Sequence, residues 1–300
     1  MSLIKNVAVV GAGGALGVPV LKALIDSGKF NVTVIARPDS KSTFPSSANV
    51  IRADYTSMDS LISALKGQDA LVLTIGLEGS SGQLLLIDAA IAAGVKRILP
   101  SDFAADLSKP KAAALPVFAP KVATRKYLED KVAAGADITY TYVVTSVFLD
   151  WALEVTLLLD WKSAEPPLYN GGEFEFSATT LASVAQAVVG VLSHPEETKN
   201  RPVYVQDIVI SQKKLLDLAR KVAPERKWTP ITVSLDEQKK WADEKWAEGN
   251  PSPSVVYTYV RVAAFQDGHG GRLEKLDNEL LGVEGKTDAD VEAIWEKLLA

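Results

Sequence analysis

The stretch VVGAGGALG, residues 9–17, decides the fold class of this chain. It places Gly11, Gly14 and Gly17 three residues apart, directly after an apolar run and before a helix-like pattern. Glycine at such positions permits a tight turn and a close approach of the backbone to a pyrophosphate. The free N–H groups of the helix that follows are suited to phosphate oxygens. A strict dinucleotide fingerprint would carry its third glycine at position 16, where this chain has Leu16.

Apolar runs that fit buried parallel strands alternate with helix-like segments through the first half of the chain. The predicted strands are Asn6–Val10, Asn31–Ala36, Val50-Ile51, Ala70–Ile75, Arg97–Pro100 and Ile138–Val144. This alternation with short connections predicts an α/β fold, a Rossmann-type doubly wound parallel sheet with a smaller C-terminal substrate lobe. We expect residues 1–150 to form the dinucleotide-binding Rossmann domain and residues 176–222 to return to it. Residues 151–175, with a hairpin or loop at 166–176, and residues 223–300 then form the substrate-binding lobe.

Composition excludes several classes of protein. The chain has 300 residues and a net charge of -5, without a block of like charges, which argues against nucleic acid or an anionic membrane as a partner. Cys is absent and there are two histidines, His194 and His269, so we expect no metal site. No apolar run approaches a membrane span and the N-terminus has no signal-peptide pattern. We therefore expect a cytoplasmic monomer or homodimer that acts on a small-molecule substrate.

Arg37 follows the second predicted strand, twenty residues after Gly17. An acidic residue there would bind the adenosine ribose hydroxyls, whereas arginine suits a 2′-phosphate. With Lys41 beside it, this favours NADP(H) as cofactor; the alternative is a solvated basic residue at a strand end. Asp54, after the third strand, is either a neighbour of the adenine or part of a simple capping turn.

The segment AAGVKRILPSDFAAD, residues 92–106, the glycine loop and Arg37 together resemble the isoflavone-reductase-like and NmrA-like group of atypical short-chain dehydrogenases. The group's Val-Lys-Arg-Phe-x-Pro-Ser-Glu-Phe-Gly run has Glu where this chain has Asp102 and Gly where it has Ala104. The resemblance implies a catalytic lysine at Lys121, four residues before Arg125. It also implies that Tyr142–Phe148 matches a run in which Ser146 replaces Asn, with Phe148 near the nicotinamide.

The implied cofactor contacts lie at the carboxyl ends of the predicted strands. They are Gly11, Gly13, Gly14, Ala15, Leu16, Gly17, Arg37, Lys41, Asp54, Ile75, Gly76, Lys121, Ser146 and Phe148. The candidate substrate contacts are the aromatic residues Phe103, Phe148, Trp151 and Tyr169.

A second catalytic pattern competes with Lys121. Tyr127 and Lys131 have the Tyr-x-x-x-Lys spacing of many nicotinamide-dependent dehydrogenases. In a doubly wound sheet the helix after the fifth strand begins near the cofactor and runs away from it. Lys131 then lies about 15 Å beyond Lys121 along the helix axis, so we favour Lys121.

These observations predict an NADPH-dependent reductase of a small apolar or aromatic carbonyl, enone, imine or benzylic ether, with Lys121 as general acid. The alternatives are an NAD(P)-binding redox-sensing regulator without turnover and a scaffold with a vestigial nucleotide site. His269, in the segment DGHGG, is interpreted as a loop histidine rather than a general acid.

Overall fold

The computed structural model of the protein describes residues 3–76, 79 and 82–300. Its strands are β1 (Asn6–Val10), β2 (Asn31–Ala36), β3 (Asn49–Arg52), β4 (Ala70–Leu73), β5 (Arg97–Leu99), β6 (Thr139–Val144), β7 (Val147–Phe148), β8 (Pro167–Tyr169), β9 (Phe176–Thr179), β10 (Arg201–Tyr204), β11 (Ile208–Ile210) and β12 (Ile231–Val233). Its helices are α1 (Gly17–Asp26), α2 (Met58–Leu65), α3 (Gln83–Ala93), α4 (Pro110–Ala113), α5 (Ala119–Ala133), α6 (Leu149–Glu154), α7 (Leu181–Ser193), α8 (Gln212–Val222), α9 (Leu235–Ala247), α10 (Pro253–Phe265), α11 (Asn278–Leu281) and α12 (Asp288–Leu299).

A parallel sheet with the order β10-β6-β5-β4-β1-β2-β3 forms the centre of the molecule. The chain winds outwards in both directions from β1, so the predicted doubly wound fold is confirmed. The strand order reverses between β1 and β4. In such sheets a ligand crevice lies outside the carboxyl ends of the strands at this point.

The central strands of the sheet are buried on both faces because they are apolar at successive positions. Along β1, Val7 and Val9 pack into the core beneath α1 and α7, whereas Ala8 and Val10 pack into the core beneath α2, α3 and α5. All four side chains are fully buried. A run without polar alternation is what a parallel strand between two helix layers requires.

The second half of the chain was predicted less well. Of the hairpin or loop expected at residues 166–176, the hairpin is wrong, because β8 pairs with β12 and β9 pairs with β11 and β7; residues 170–175 between them form a loop. Each of these short strands finds its partner in a distant segment, which local sequence patterns do not reveal. Beyond Trp228, where we saw no strand–helix rhythm, the helices α9, α10 and α12 help to enclose a separate hydrophobic core.

The chain returns from the C-terminal lobe to the main sheet through α7 and β10. α7 packs on α1, and β10 adds a parallel edge strand beside β6. We expected residues 176–222 to rejoin the nucleotide-binding domain. The last helix in this range, α8, packs instead against α12 and buries Leu215 and Leu216 in the core of the lobe.

The turn between β1 and α1 is closed by glycines. Gly11 has a φ of +86°, and a Cβ placed on it would lie 2.6 Å from the carbonyl oxygen of Thr74 at the end of β4. A Cβ on Gly17 would overlap the carbonyl oxygen of Gly11 and lie 2.7 Å from the Cα of Ala12. Only glycine lets α1 begin this close to the strand that precedes it.

Replacing Gly17 with Ala is expected to lower the free energy of unfolding by about 1–3 kcal/mol, the usual cost of overpacking. The methyl group meets backbone atoms, which cannot rotate away, so this cost exceeds the gain of up to about 1 kcal/mol from replacing a helical glycine. Urea unfolding of the purified protein measures the change.

Gly82→Ala is the matched control, since Gly82 precedes α3 with a φ of -73° and its Cβ would meet none of the described residues within 4 Å. It should leave stability unchanged or slightly raised. A Gly17→Ala protein as stable as the wild type would contradict the close contact between α1 and the glycine turn.

Candidate active site

The glycine turn presents an exposed backbone surface at the switch point of the sheet. Gly13, Gly14 and Ala15 are exposed, whereas Leu16 is buried and anchors the start of α1. A Cβ on Gly13 would overlap the Ser42 hydroxyl, so the loop after β2 lies directly against this surface. The Gly14 N–H donates to the Gly11 carbonyl at 3.0 Å, which closes the turn. The small residues leave the backbone of Gly13 and Ala15 uncovered, and this surface fits the pyrophosphate of a dinucleotide.

The basic residues after β2 lie at the same edge of the sheet. Arg37 and Lys41 are exposed, and the Nε of Arg37 is 3.9 Å from a carboxylate oxygen of Asp39. The Asp54 carboxylate accepts bonds from the backbone N–H and the hydroxyl of Thr56, each at 2.8 Å. These bonds hold the pKa of Asp54 below its ordinary value. Arg37 and Lys41 are two exposed basic side chains within reach of an added phosphate at this edge.

Ser101, just after β5, ties together the segments around the crevice. Its hydroxyl donates to the carbonyl of Ile75 at 2.7 Å, and its N–H donates to the side-chain oxygen of Gln83 at 2.8 Å. Gly76, next to Ile75, is exposed. Gln83 was not among the predicted site residues. It is almost fully buried at the start of α3, a place where a polar side chain needs a specific partner.

Lys121 lies in the first turn of α5 and points back towards β5. Its ammonium donates to the Ser101 carbonyl at 2.7 Å. Burial lowers the pKa of Lys121 to about 8; the Asp102 carboxylate raises it and the Arg125 guanidinium lowers it. Lys121 is therefore a cation that can release its proton near neutral pH, at the carboxyl end of the sheet.

Asp102 and Arg125 form a buried ion pair beside Lys121. The Arg125 Nε donates to one Asp102 oxygen at 2.9 Å and its Nη2 donates to the other. The guanidinium also lies 4.6 Å from the centre of the Tyr142 ring. Burial alone would lower the pKa of Arg125, but the bonds to Asp102 raise it above its ordinary value. The pair fixes the loop after β5 onto α5, with Lys121 one turn before Arg125.

Tyr127 and Lys131 bind a shared partner away from this cluster. The Tyr127 hydroxyl donates to Asp88 Oδ2 at 2.6 Å, and the Lys131 ammonium is 2.7 Å from Asp88 Oδ1. Asp88 lies on α3, so the pair joins two neighbouring helices. This packing accounts for both side chains without a catalytic role.

The predicted substrate contacts separate into different aromatic groups. Phe148 and Trp151 meet edge to face with ring centres 6.4 Å apart, and Trp151 meets Tyr257 of α10 in the same way. All three are partly buried. They form an apolar row that joins the end of the main sheet to the lobe. Phe103 is buried in the core beneath α1.

Tyr169 belongs to a second group in the lobe. Its ring stacks on Phe265 with centres 6.0 Å apart, and the Arg261 guanidinium lies 5.1 Å from its centre. Tyr169 is 8% exposed. These contacts make it part of the lobe core, separate from the row that contains Trp151.

The segment DGHGG contacts the loops around the site through its glycines. Ser146, with a φ of +55°, donates its hydroxyl to the Gly271 carbonyl at 2.9 Å, and the Asp106 N–H donates to the Gly270 carbonyl at 3.0 Å. The contacts are thus made by the carbonyls of Gly270 and Gly271, which were not among the predicted site residues, and not by His269. Two consecutive glycines were the available signal, since side chains at either position would meet neighbouring backbone within 2.6 Å.

Neither a metal-binding cluster nor a membrane-spanning helix is found in the part of the chain that the structure describes. Residues 3–76, 79 and 82–300 contain no group of three or more His, Asp or Glu side chains that could hold a metal ion. None of the helices in these ranges is long and apolar enough to cross a membrane.

Comparison with known proteins identifies the family. Residues 4–238 match the model of the NmrA-like family, so the chain belongs to that family, as predicted. Oxidoreductase aprR of Aspergillus flavus is 37% identical over 289 residues, which cover 93% of this chain and 94% of the relative. Oxidoreductase poxI of Penicillium oxalicum is 34% identical over 293 residues, which cover 94% of this chain and 91% of the relative.

The fold is shared with a solved structure of AtPrR2 with NADP+ and (+)pinoresinol. The TM-score is 0.80 at 22% sequence identity, and the match covers 98% of this chain and 100% of the other. At that identity the likeness concerns the fold.

Replacing Asp102 with Asn is expected to lower the free energy of unfolding by about 3–5 kcal/mol, because it leaves a buried guanidinium without its carboxylate. The side chains of Arg125 and Asp102 are 12% and 3% exposed. Thermal or urea unfolding measures the loss.

The control is Asp130→Asn on the same helix. Asp130 pairs with Lys126, and both side chains are more than 60% exposed, so the change should cost less than about 1 kcal/mol. If the two substitutions lowered the free energy of unfolding equally, the Asp102–Arg125 pair would be no more important for stability than the exposed pair.

Proposed function

We propose that this member of the NmrA-like family is an NADPH-dependent oxidoreductase that reduces a small apolar or aromatic substrate, with Lys121 as general acid. The observation that carries the proposal is the Lys121 ammonium. It lies at the carboxyl end of the sheet, 2.7 Å from the Ser101 carbonyl, with a pKa lowered to about 8 by burial. The fungal relatives named as oxidoreductases support a reductase over a regulator without turnover.

The cofactor site is assigned from the exposed backbone of Gly13, Gly14 and Ala15 and from the cations Arg37 and Lys41. The backbone N–H groups bind the pyrophosphate, and the cations bind the 2′-phosphate. Ile75, Gly76 and Asp54 border the dinucleotide along the ends of β4 and β3. Ser146, which follows β6, and Phe148, the last residue of β7, face the nicotinamide half.

NADPH, when bound, supplies a hydride to an electrophilic carbon of the substrate. Lys121 donates its proton to the oxygen or nitrogen that receives the displaced electron pair, and it regains a proton from water. The Ser101 carbonyl orients the ammonium, and the Asp102 carboxylate favours its charged form. The exposed edges of Phe148 and Trp151 pack against the apolar part of the substrate.

The substrate class follows from these groups. A planar aromatic or otherwise apolar molecule with one carbonyl, enone, imine or benzylic ether presents an apolar surface to the aromatic row and one acceptor atom to Lys121. A member of the same fold has been solved with the aromatic compound pinoresinol, which supports this class.

Replacing Lys121 with Ala is expected to lower kcat by about 100-fold or more, the usual contribution of a positioned general acid. The affinity for NADPH should stay within a few fold, since the phosphate contacts lie elsewhere. NADPH oxidation with a panel of aromatic carbonyls, enones, imines and benzylic ethers measures turnover, and fluorescence titration measures binding.

Lys131→Ala and Tyr127→Phe are the controls on the same helix and should keep wild-type turnover. A Lys121→Ala protein with near-normal turnover would refute the role of Lys121. A wild-type protein that binds NADP+ tightly, binds NADPH poorly and reduces nothing in the panel would favour the redox-sensing regulator.

The pH dependence follows from the sign of the Lys121 shift. The general acid acts when protonated, so kcat/KM should be high below the pKa of about 8 and fall above it. The fall should approach about tenfold per pH unit in steady-state assays. The residual activity of Lys121→Ala should lack this step. A wild-type profile that stays flat to well above that pKa would contradict the assignment.

A further inference from the structure

Arg52, the last residue of β3, contacts the turn that carries Arg37 and Lys41. β2 and β3 are paired in parallel with Ala36 opposite Arg52, so the turn after β2 begins beside the Arg52 side chain. Arg52 Nη1 donates to the carbonyl of Arg37 at 3.0 Å and to the carbonyl of Ser40 at 2.8 Å. Arg52 thus bridges the two ends of the turn.

The turn has little else to hold it in this position. The Ser40 N–H donates to the Arg37 carbonyl at 3.1 Å, which closes the turn locally. The segment is exposed, and the 3.9 Å contact between Arg37 and Asp39 joins side chains that are 66% and 81% exposed. Such an exposed pair contributes little to order. The two charge-assisted bonds from Arg52 are stronger than the bonds within the turn.

The charges at this edge are unbalanced in favour of an anion. Arg37, Lys41 and Arg52 are basic and exposed, and Asp39 and Asp54 are the acidic groups near them. The bonds from Thr56 lower the pKa of Asp54 and keep it charged, so three cations stand against two anions. Within residues 3–76, 79 and 82–300, no hydrogen bond or ion pair is formed by Nη2 or Nε of Arg52. A phosphate with two negative charges suits such a cluster.

The turn held by Arg52 leads directly to a residue that contacts the glycine loop. Two residues after Ser40, the Ser42 side chain lies against Gly13, with its Cβ 2.8 Å from the place of a Gly13 Cβ. The position of the turn therefore sets the distance between the cations after β2 and the backbone surface assigned to the pyrophosphate. A dinucleotide phosphorylated at the 2′-position has to meet both places at once.

We infer that Arg52 is a positioning residue for selection of the 2′-phosphorylated cofactor: it holds the turn after β2 so that Arg37 and Lys41 meet the 2′-phosphate. This inference rests on the proposed use of NADPH. NADH carries an uncharged hydroxyl in place of the 2′-phosphate, so its binding should depend far less on the placement of the two cations.

The test is a double-mutant cycle on cofactor affinity. The Kd values of NADPH and NADH, and of the fragments 2′,5′-ADP and 5′-AMP, are measured by calorimetry for the wild type, Arg52→Met, Arg37→Met and the double variant. Arg52→Met should weaken NADPH and 2′,5′-ADP by about tenfold, the effect of one lost charge-assisted bond. NADH and 5′-AMP should change less than twofold.

The double variant distinguishes positioning from independent charge. If Arg52 acts through the turn, the double variant should bind NADPH about as weakly as Arg37→Met alone, because residues that act together are not additive. Fully additive losses would overturn the positioning role. Retained NADPH preference in Arg52→Met, or equal weakening of NADPH and NADH, would overturn the inference altogether.

Two further measurements keep the outcomes separate. Lys221 is an exposed residue of α8 that pairs with Glu292; Lys221→Met removes one positive charge in the C-terminal lobe, away from the glycine loop, and should leave all four affinities unchanged. Thermal unfolding of Arg52→Met should match the wild type, since the lost bonds lie in an exposed turn. If the wild type itself shows no preference for NADPH, the cofactor assignment fails; a wild-type preference that survives Arg52→Met refutes the Arg52 inference alone.

Discussion

The contact between Gly17 and the carbonyl of Gly11 is the constraint on which the rest of the structure depends. It lets α1 begin directly over the end of β1, and it leaves the backbone of Gly13, Gly14 and Ala15 without covering side chains. The same turn is pressed against Thr74 at the end of β4, the strand on the other side of the reversal in strand order. At this switch point three backbone segments approach one another more closely than side chains would allow.

A second constraint, a polar one, positions Lys121. The buried pair of Asp102 and Arg125 attaches the loop after β5 to α5, and Lys121 lies one turn earlier on the same helix. A buried pair of this kind contributes little net stability, but it specifies one arrangement because neither partner tolerates the loss of the other. The lowered pKa of Lys121 follows from the burial that this arrangement imposes. Position and acidity thus have one origin.

The first half of the fold was predictable because its strands are visible in the sequence as local apolar runs. The limits were local as well: β4 ends at Leu73 rather than Ile75, since Thr74 already bonds to the end of β1 with both its N–H and its hydroxyl. The C-terminal lobe was not predictable in the same way. β8 and β12 are too short to show a pattern, and they pair across more than sixty residues of chain.

By itself the sequence determined the doubly wound fold and the position of the glycine turn, and it predicted that Lys121 rather than Lys131 lies at the carboxyl end of the sheet. All three follow from spacing along single strands and helices. Only the tertiary structure decided that Trp151 joins Tyr257 while Tyr169 packs on Phe265, and that Arg52 bonds to the turn after β2. The physical reason is that these contacts join residues that are distant along the chain. Their energies depend on how whole elements pack, which no local pattern of residues contains.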